Sequence, residues 1–260
     1  MDLPYSKVPR QGQGSPIIIL WIALTLFSNV LFAQSANDVL ENYFKVVSNG
    51  DINNWDKIKT AYLETSDTFV QPGNQNVPSL LSQKGSRQKM YRVWPDMSMT
   101  EVFDDTVVSA SYYHVKGKHF LIFKQNPPIP LPTGPYEPYF EFEPVMVYHA
   151  LKKNKQVENL GLKNIGTCEC FDIKIVTKNL IWHFYINPDN SLLEYWSNST
   201  DGEETTITRV FNYAKIDNYL IPLSESKSRD GHDFFWSKRN VVKLNIPIDP
   251  NKFVYTAKGN

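Results

Sequence analysis

The stretch GTCECFDIKIVTKNLIWHFYINPDNSLLEYW, residues 166–196, carries the periodicity that decides the fold. Within 168–176, Phe171, Ile173 and Ile175 fall on one face of an extended chain, and Cys168, Cys170, Asp172 and Lys174 fall on the other. This is the two-residue period of a β-strand with one buried face. The next strand, 180–187, sets Leu180, Trp182, Phe184 and Ile186 on one side but also Ile181 and Tyr185 on the opposite side, which predicts cover on both. Pro188-Asp189-Asn190 then turns the chain into a third strand at 191–196. Hops this short join antiparallel neighbours, because a parallel pair needs a crossover of about a dozen residues.

The same grammar extends in both directions. Strands are expected at 61–69, 88–94, 106–114, 118–124, 139–142, 157–165, 205–213, 219–228 and 233–246. Turn signals at Lys116-Gly117, Asp201-Gly202, Asp217-Asn218 and Asp230-Gly231 separate several of them. Helical periodicity occurs at 36–48, where Val39, Leu40, Tyr43, Phe44 and Val47 form one apolar stripe. Ser35 or Asn37 can cap its start, and Asn49-Gly50 can end it. A short helical turn is expected at 53–59, and a second helix at 144–153, opened by Pro144. Residues 126–138 hold six prolines and read as an extended loop, a rigid surface connection in preference to a flap carrying Tyr136 and Tyr139.

The chain has 27 Lys+Arg against 27 Asp+Glu, so no basic surface exists to drive nucleic-acid binding. At the N-terminus, Lys7 and Arg10 precede an apolar run from Ile17 that Ser28 and Asn29 interrupt before Ala33. The run is short of the roughly 20 residues of a membrane span, so 1–33 reads as a signal peptide and 34–260 as one exported, periplasmic domain. The alternative is an uncleaved inner-membrane anchor. Cys168 and Cys170 are two apart on one strand, at a regular Cα spacing of about 6.5 Å; a bridge is near its upper limit there, and two free thiols are favoured.

Chemistry-bearing patterns are missing. The histidines at 114, 119, 149, 183 and 232 show no metal-ligand spacing, and His183 reads as a satisfied half-buried side chain. No nucleophile elbow, phosphate loop or dinucleotide fingerprint occurs. Asp104-Asp105 and Glu203-Glu204 are adjacent pairs whose side chains diverge on a strand. No enzyme, metal or cofactor is expected, and a hydrolase is a distant third behind binding and structural roles.

The opening ANDVLENYFKVVSNGDINNWDKIKT at 36–60 and the later runs GTCECFDIKI, WHFYINPDNSLLEYW, TTITRVFNYAKIDNYLIPLSES and LNIPIDPNKF resemble the lipoprotein-carrier-like superfamily with the LolA/LppX-like fold, in its long exported form common in Bacteroidetes. The resemblance implies a curved, unclosed antiparallel half-barrel with helices on its concave face and an apolar cavity between them. It implies a non-enzymatic carrier of lipid, lipoprotein acyl chains or another apolar ligand, acting as a monomer with a partner at the envelope membrane. If the apolar strand faces are the concave ones, Phe171, Ile173, Trp182, Phe184 and Ile186 point toward the helices, with Tyr43 and Phe44 facing them across the cavity. The competing expectation is an envelope structural or interaction protein in which the same residues are a filled core.

Overall fold

The structure, a computed structural model, describes residues 34–70, 83–94, 97–124, 126–131, 145, 147–148, 156–176, 180–199 and 206–254. The expected leader at 1–33, the expected strand at 139–142, the expected turn at 201–202, the acidic pair Glu203-Glu204 and residues 132–138 of the proline-rich segment lie outside these residues.

Thirteen strands form one antiparallel sheet: β1 (Thr60–Val70), β2 (Gln83–Val93), β3 (Met97–Asp104), β4 (Val107–Val115), β5 (Lys118–Phe123), β6 (Ile129–Pro130), β7 (Val157–Ile165), β8 (Cys168–Val176), β9 (Ile181–Ile186), β10 (Leu193–Ser199), β11 (Ile207–Ile216), β12 (Tyr219–Arg229) and β13 (His232–Leu244). Their order is β6-β5-β4-β3-β2-β1-β13-β12-β11-β10-β9-β8-β7, so the sheet is not closed into a barrel. It consists of two meanders, β1 to β6 and β7 to β13, sewn together where the first strand pairs with the last. The expected antiparallel half-barrel is the fold observed.

Helix α1 (Ala36–Val47) starts where Ser35 completes a capping box: Asp38 N donates to Ser35 Oγ at 3.2 Å, and Ser35 N donates to Asp38 Oδ2 at 3.2 Å. Asn49 and Gly50 adopt positive φ and end it, with Gly50 N donating to Lys45 O at 2.8 Å. Its stripe Ala36, Val39, Leu40, Tyr43, Phe44 and Val47 is buried against one face of the sheet, here called the inner face. A 3-10 turn, Ile52–Lys57, follows and lays Trp55 4.8 Å from the Tyr219 ring, while the Tyr219 hydroxyl donates to Asn54 O at 2.7 Å. Val145, Val147 and Tyr148, which lie between β6 and β7 in the chain, are helical and buried in the same cluster on the inner face.

Three expectations need correction. Met97–Asp104, read as no strand, pairs along its length with β2 and β4. Its inner residues Ser98 and Thr100 are polar yet buried, and Glu101 interrupts the other row of Met97, Met99 and Phe103, so the alternation that marks a half-buried strand is broken in the sequence. Ile129–Pro130, inside the expected loop, pairs with β5 as an edge strand, a sheet position where a missing proline N–H is tolerated. Cys168 and Cys170 are joined by a disulfide, not left as free thiols. Their Cα atoms are 5.4 Å apart, closer than a regular strand gives, because Cys168 opens β8 directly after a turn in which Gly166 takes φ +56°.

Candidate functional site on the inner face

Strand register explains how the expected site residues meet. Phe171 opposes Ile186, Ile173 opposes Phe184, and Ile175 opposes Trp182, so the apolar rows of β8 and β9 lie side by side under α1. Trp182 stacks on Phe184 and tilts against Trp196, each at 5.9 Å. From the helical side, Tyr43 meets Phe44 edge-on at 5.0 Å, and Phe44 meets Tyr148 at 6.0 Å. All seven residues, Tyr43, Phe44, Phe171, Ile173, Trp182, Phe184 and Ile186, fall in one apolar cluster. Six are buried, with Trp182 at 6% the most exposed of those, and Phe171 is half-buried at the cluster's margin. Two indole donors in this cluster, Trp55 Nε1 and Trp196 Nε1, are buried with no hydrogen-bond acceptor among the described residues.

The inner face changes character along the strands. On β1 the apolar Ala61 and Leu63 give way to Thr65 and Asp67; on β13 Leu244 and Val242 give way to Arg239 and Ser237. The boundary is a β-bulge: Glu64 pairs with Val241 and Thr65 with Arg239, leaving Asn240 as the extra residue on β13. Asn240 Nδ2 is tied to Ser66 Oγ at 2.7 Å. Beyond the bulge, Arg239 Nη1 donates to Pro222 O at 2.6 Å and Arg239 Nη2 lies 3.6 Å from Glu225, which Lys227 approaches at 3.7 Å. Asp67 is 3% exposed and accepts from Gln88 Nε2. Burial pushes its carboxyl above the ordinary carboxylate range and nearby Glu225 adds to this, against the hydrogen bonds of Ser237 and Thr65 and the charge of Lys227. Along β1 and β13 the inner face therefore changes from apolar to charged at the bulge. Sequence reading missed the polar half because its members come from β1, β2, β12 and β13, and only the sheet register brings them together.

The opposite, outer face carries its own small cluster of Ile165, Cys170, Tyr185 and Tyr195, which is the two-sided cover expected around Tyr185. His183 belongs to this face. Its Nδ1 lies 2.7 Å from Asp172 Oδ1, and Lys163 Nζ lies 3.7 Å from Asp172 Oδ2 while donating to the Tyr185 hydroxyl at 3.0 Å. A carboxylate held between a histidine and a lysine is a structural network, and among the described residues no group of three His, Cys, Asp or Glu side chains could hold a metal ion. On the first meander, the C-terminal 3-10 turn Pro250–Phe253 buries Phe253 and sets Lys252 4.8 Å from the Tyr91 ring and 3.7 Å from Glu101. Burial, with Glu101 beside it, pushes the Tyr91 hydroxyl up to about 12.

No family model and no curated protein matches the chain. Solved structures do. A LolA superfamily protein from Nitrosomonas europaea superposes with a TM-score of 0.59 at 10% identity, covering 86% of this chain and 99% of that one. A DUF1329 family protein from Desulfovibrio piger gives 0.60 at 9% identity over 85% and 97%. A putative outer membrane lipoprotein-sorting protein domain from Vibrio parahaemolyticus gives 0.54 at 9% identity over 76% and 89%. At such identities the likeness establishes the fold alone: this chain has the LolA-like fold.

Proposed function

We propose that this protein is an exported, non-enzymatic binder or carrier of a ligand with acyl chains, held between α1 and the apolar half of the inner face. One observation carries the reading: a thirteen-stranded sheet that stays open presents a continuous aromatic and aliphatic surface, covered by a helix that contributes six buried side chains. Carrying an acyl chain through water means hiding about 0.8 kcal/mol of apolar surface per CH₂ and still letting it go. A helix resting on an unclosed sheet can be displaced without breaking strand pairing. The two buried indole donors support the same reading. A donor left unpaired costs about 1–3 kcal/mol, and an ester carbonyl of a lipid supplies the missing acceptor at Trp196.

A second reading has its own support. Six of the seven residues are buried among one another, which suits an envelope interaction protein with a filled core.

Native mass spectrometry of protein purified gently from its own envelope separates the two, with Phe171→Asp as the informative variant because Phe171 is half-buried and can carry a charge without opening the core. The carrier reading expects a copurifying acyl lipid that Phe171→Asp depletes while cooperative thermal unfolding persists. Consistent absence of bound lipid from the natural protein, and after incubation with phospholipid vesicles, would establish the filled-core reading instead.

A further inference from the structure

A pocket lies on the outer face, away from α1, with a volume of about 520 Å³. Sheet register builds its floor. Tyr195 on β10, Arg209 on β11 and Ser226 on β12 stand opposite one another in one row; Ile207, Ser228 and Asp233 follow in the next. The β7–β8 turn, Gly166 and Thr167, closes one side, and the β12–β13 turn, Asp230 and Gly231, closes the other. Gly166 matters here because a Cβ on it would fall 2.2 Å from the Tyr195 hydroxyl. Only a residue without a side chain lets that phenol reach the turn.

The charges in this pocket do not satisfy one another. The Arg209 guanidinium lies 5.9 Å from the Tyr195 ring and 5.5 Å from the Phe211 ring, a cradle that orients the fork while leaving its donors unused. Among the described residues Arg209 has no carboxylate within ion-pair distance, and neither Asp230 nor Asp233 has a cationic partner. Asp233 belongs to the row after that of Arg209, roughly 6–7 Å further along the strands. The hydroxyls of Thr167, Tyr195 and Ser226 also have no hydrogen-bond partner among the described residues, and Ser226 is only 6% exposed. One wall thus offers a guanidinium fork with convergent hydroxyls, which suits a carboxylate or phosphate. The other offers two carboxylates, which suit an ammonium.

We infer that this outer pocket binds a small zwitterion whose anionic group sits on Arg209 and Ser226 and whose ammonium sits against Asp230 and Asp233. That chemistry has two sources, the phosphoethanolamine headgroup of a lipid and a free short peptide. The site needs no acyl chain, so it stands or falls independently of the inner-face carrier reading.

Titration of the full chain followed by amide NMR tests it. The probes are glycerophosphoethanolamine and alanyl-alanine as zwitterions, with glycerol 3-phosphate as the anion alone. One zwitterion is expected to saturate and to shift the amides of Gly166, Thr167 and Gly231; which one does so identifies the source. Arg209→Gln is expected to weaken that binding about tenfold or more. The double variant Asp230→Asn with Asp233→Asn is expected to erase the preference for the zwitterion over glycerol 3-phosphate. Arg209 is exposed and its partners are rings, so the thermal midpoint of Arg209→Gln is expected to stay within about 2 °C of the parent, which shows that a lost signal is not lost fold. The inference is overturned if neither zwitterion saturates up to about 10 mM, if glycerol 3-phosphate binds as well as they do, or if Arg209→Gln leaves binding unchanged.

Discussion

Gly166 concentrates two constraints in one position: a left-handed backbone and a Tyr195 hydroxyl where a Cβ would stand. Gly166→Ala is expected to destabilise the protein by about 1–3 kcal/mol in urea denaturation, the sum of a positive-φ cost and a displaced phenol. A smaller loss, under about 0.5 kcal/mol, would mean that Tyr195 swings aside freely. Asp67 sets a different test. Because burial raises its folded-state pKa above the ordinary value of 3.8, the ionised form is the disfavoured one in the native protein. Its contribution to stability is fully present below the unfolded pKa and is lost as pH rises through the raised folded value. Asp67→Asn has no such titration, so the parent is expected to gain stability relative to the variant between pH 7 and pH 4, measured by denaturation at both. A difference that is constant across that range, or of opposite sign, would show the carboxylate to be well stabilised by Gln88, Ser237 and Thr65.

At the scale of elements, α1 is held by its face and not by its ends. Phe44 is 1% exposed and touches Tyr43 and Tyr148, so Phe44→Ala is expected to cost about 3–5 kcal/mol, read from the shift of the chemical denaturation midpoint. A loss near 1 kcal/mol would instead indicate that the helix sits loosely on the sheet. The helix and most strands were legible because their apolar period is intact; β7 and β8 match the expected limits residue for residue, since the turn at Gly166-Thr167 punctuates them. The missed strand β3 and the missed polar side of the site share one reason. Where the inner face turns polar, as at Ser98, Thr100, Thr65 and Asp67, the side chains are covered by strands distant in sequence, and local alternation carries no sign of it. The candidate site was legible in its membership but not in its meaning, because a row such as Ile173, Phe184 and Ile186 has the same pattern whether it lines a ligand or packs a core. The outer pocket was not visible at all, although GTCEC already contained the glycine on which it depends.

At the scale of the whole molecule, the proposal of an exported domain rests on the expectation that 1–33, outside the described residues, is a cleaved leader. Intact mass of protein recovered from the envelope is expected to correspond to 34–260; the full-length mass in the membrane fraction would identify an anchor instead. Among the described residues the open sheet ends in two edge strands, β6 and β7, and each carries features that protect an edge. One rim is the two-residue strand Ile129–Pro130, in which proline withholds a donor. The other is β7, where register slips between Asn159 and Leu162 around Gly161 at φ +94°, and Glu158 and Lys163 add charge. An unclosed barrel is one strand pairing away from templating a filament. Here one edge strand is two residues long and the other is irregular, features that disfavour such templating, and Leu160 and Leu162, about half exposed on β7, mark where that protection is thinnest.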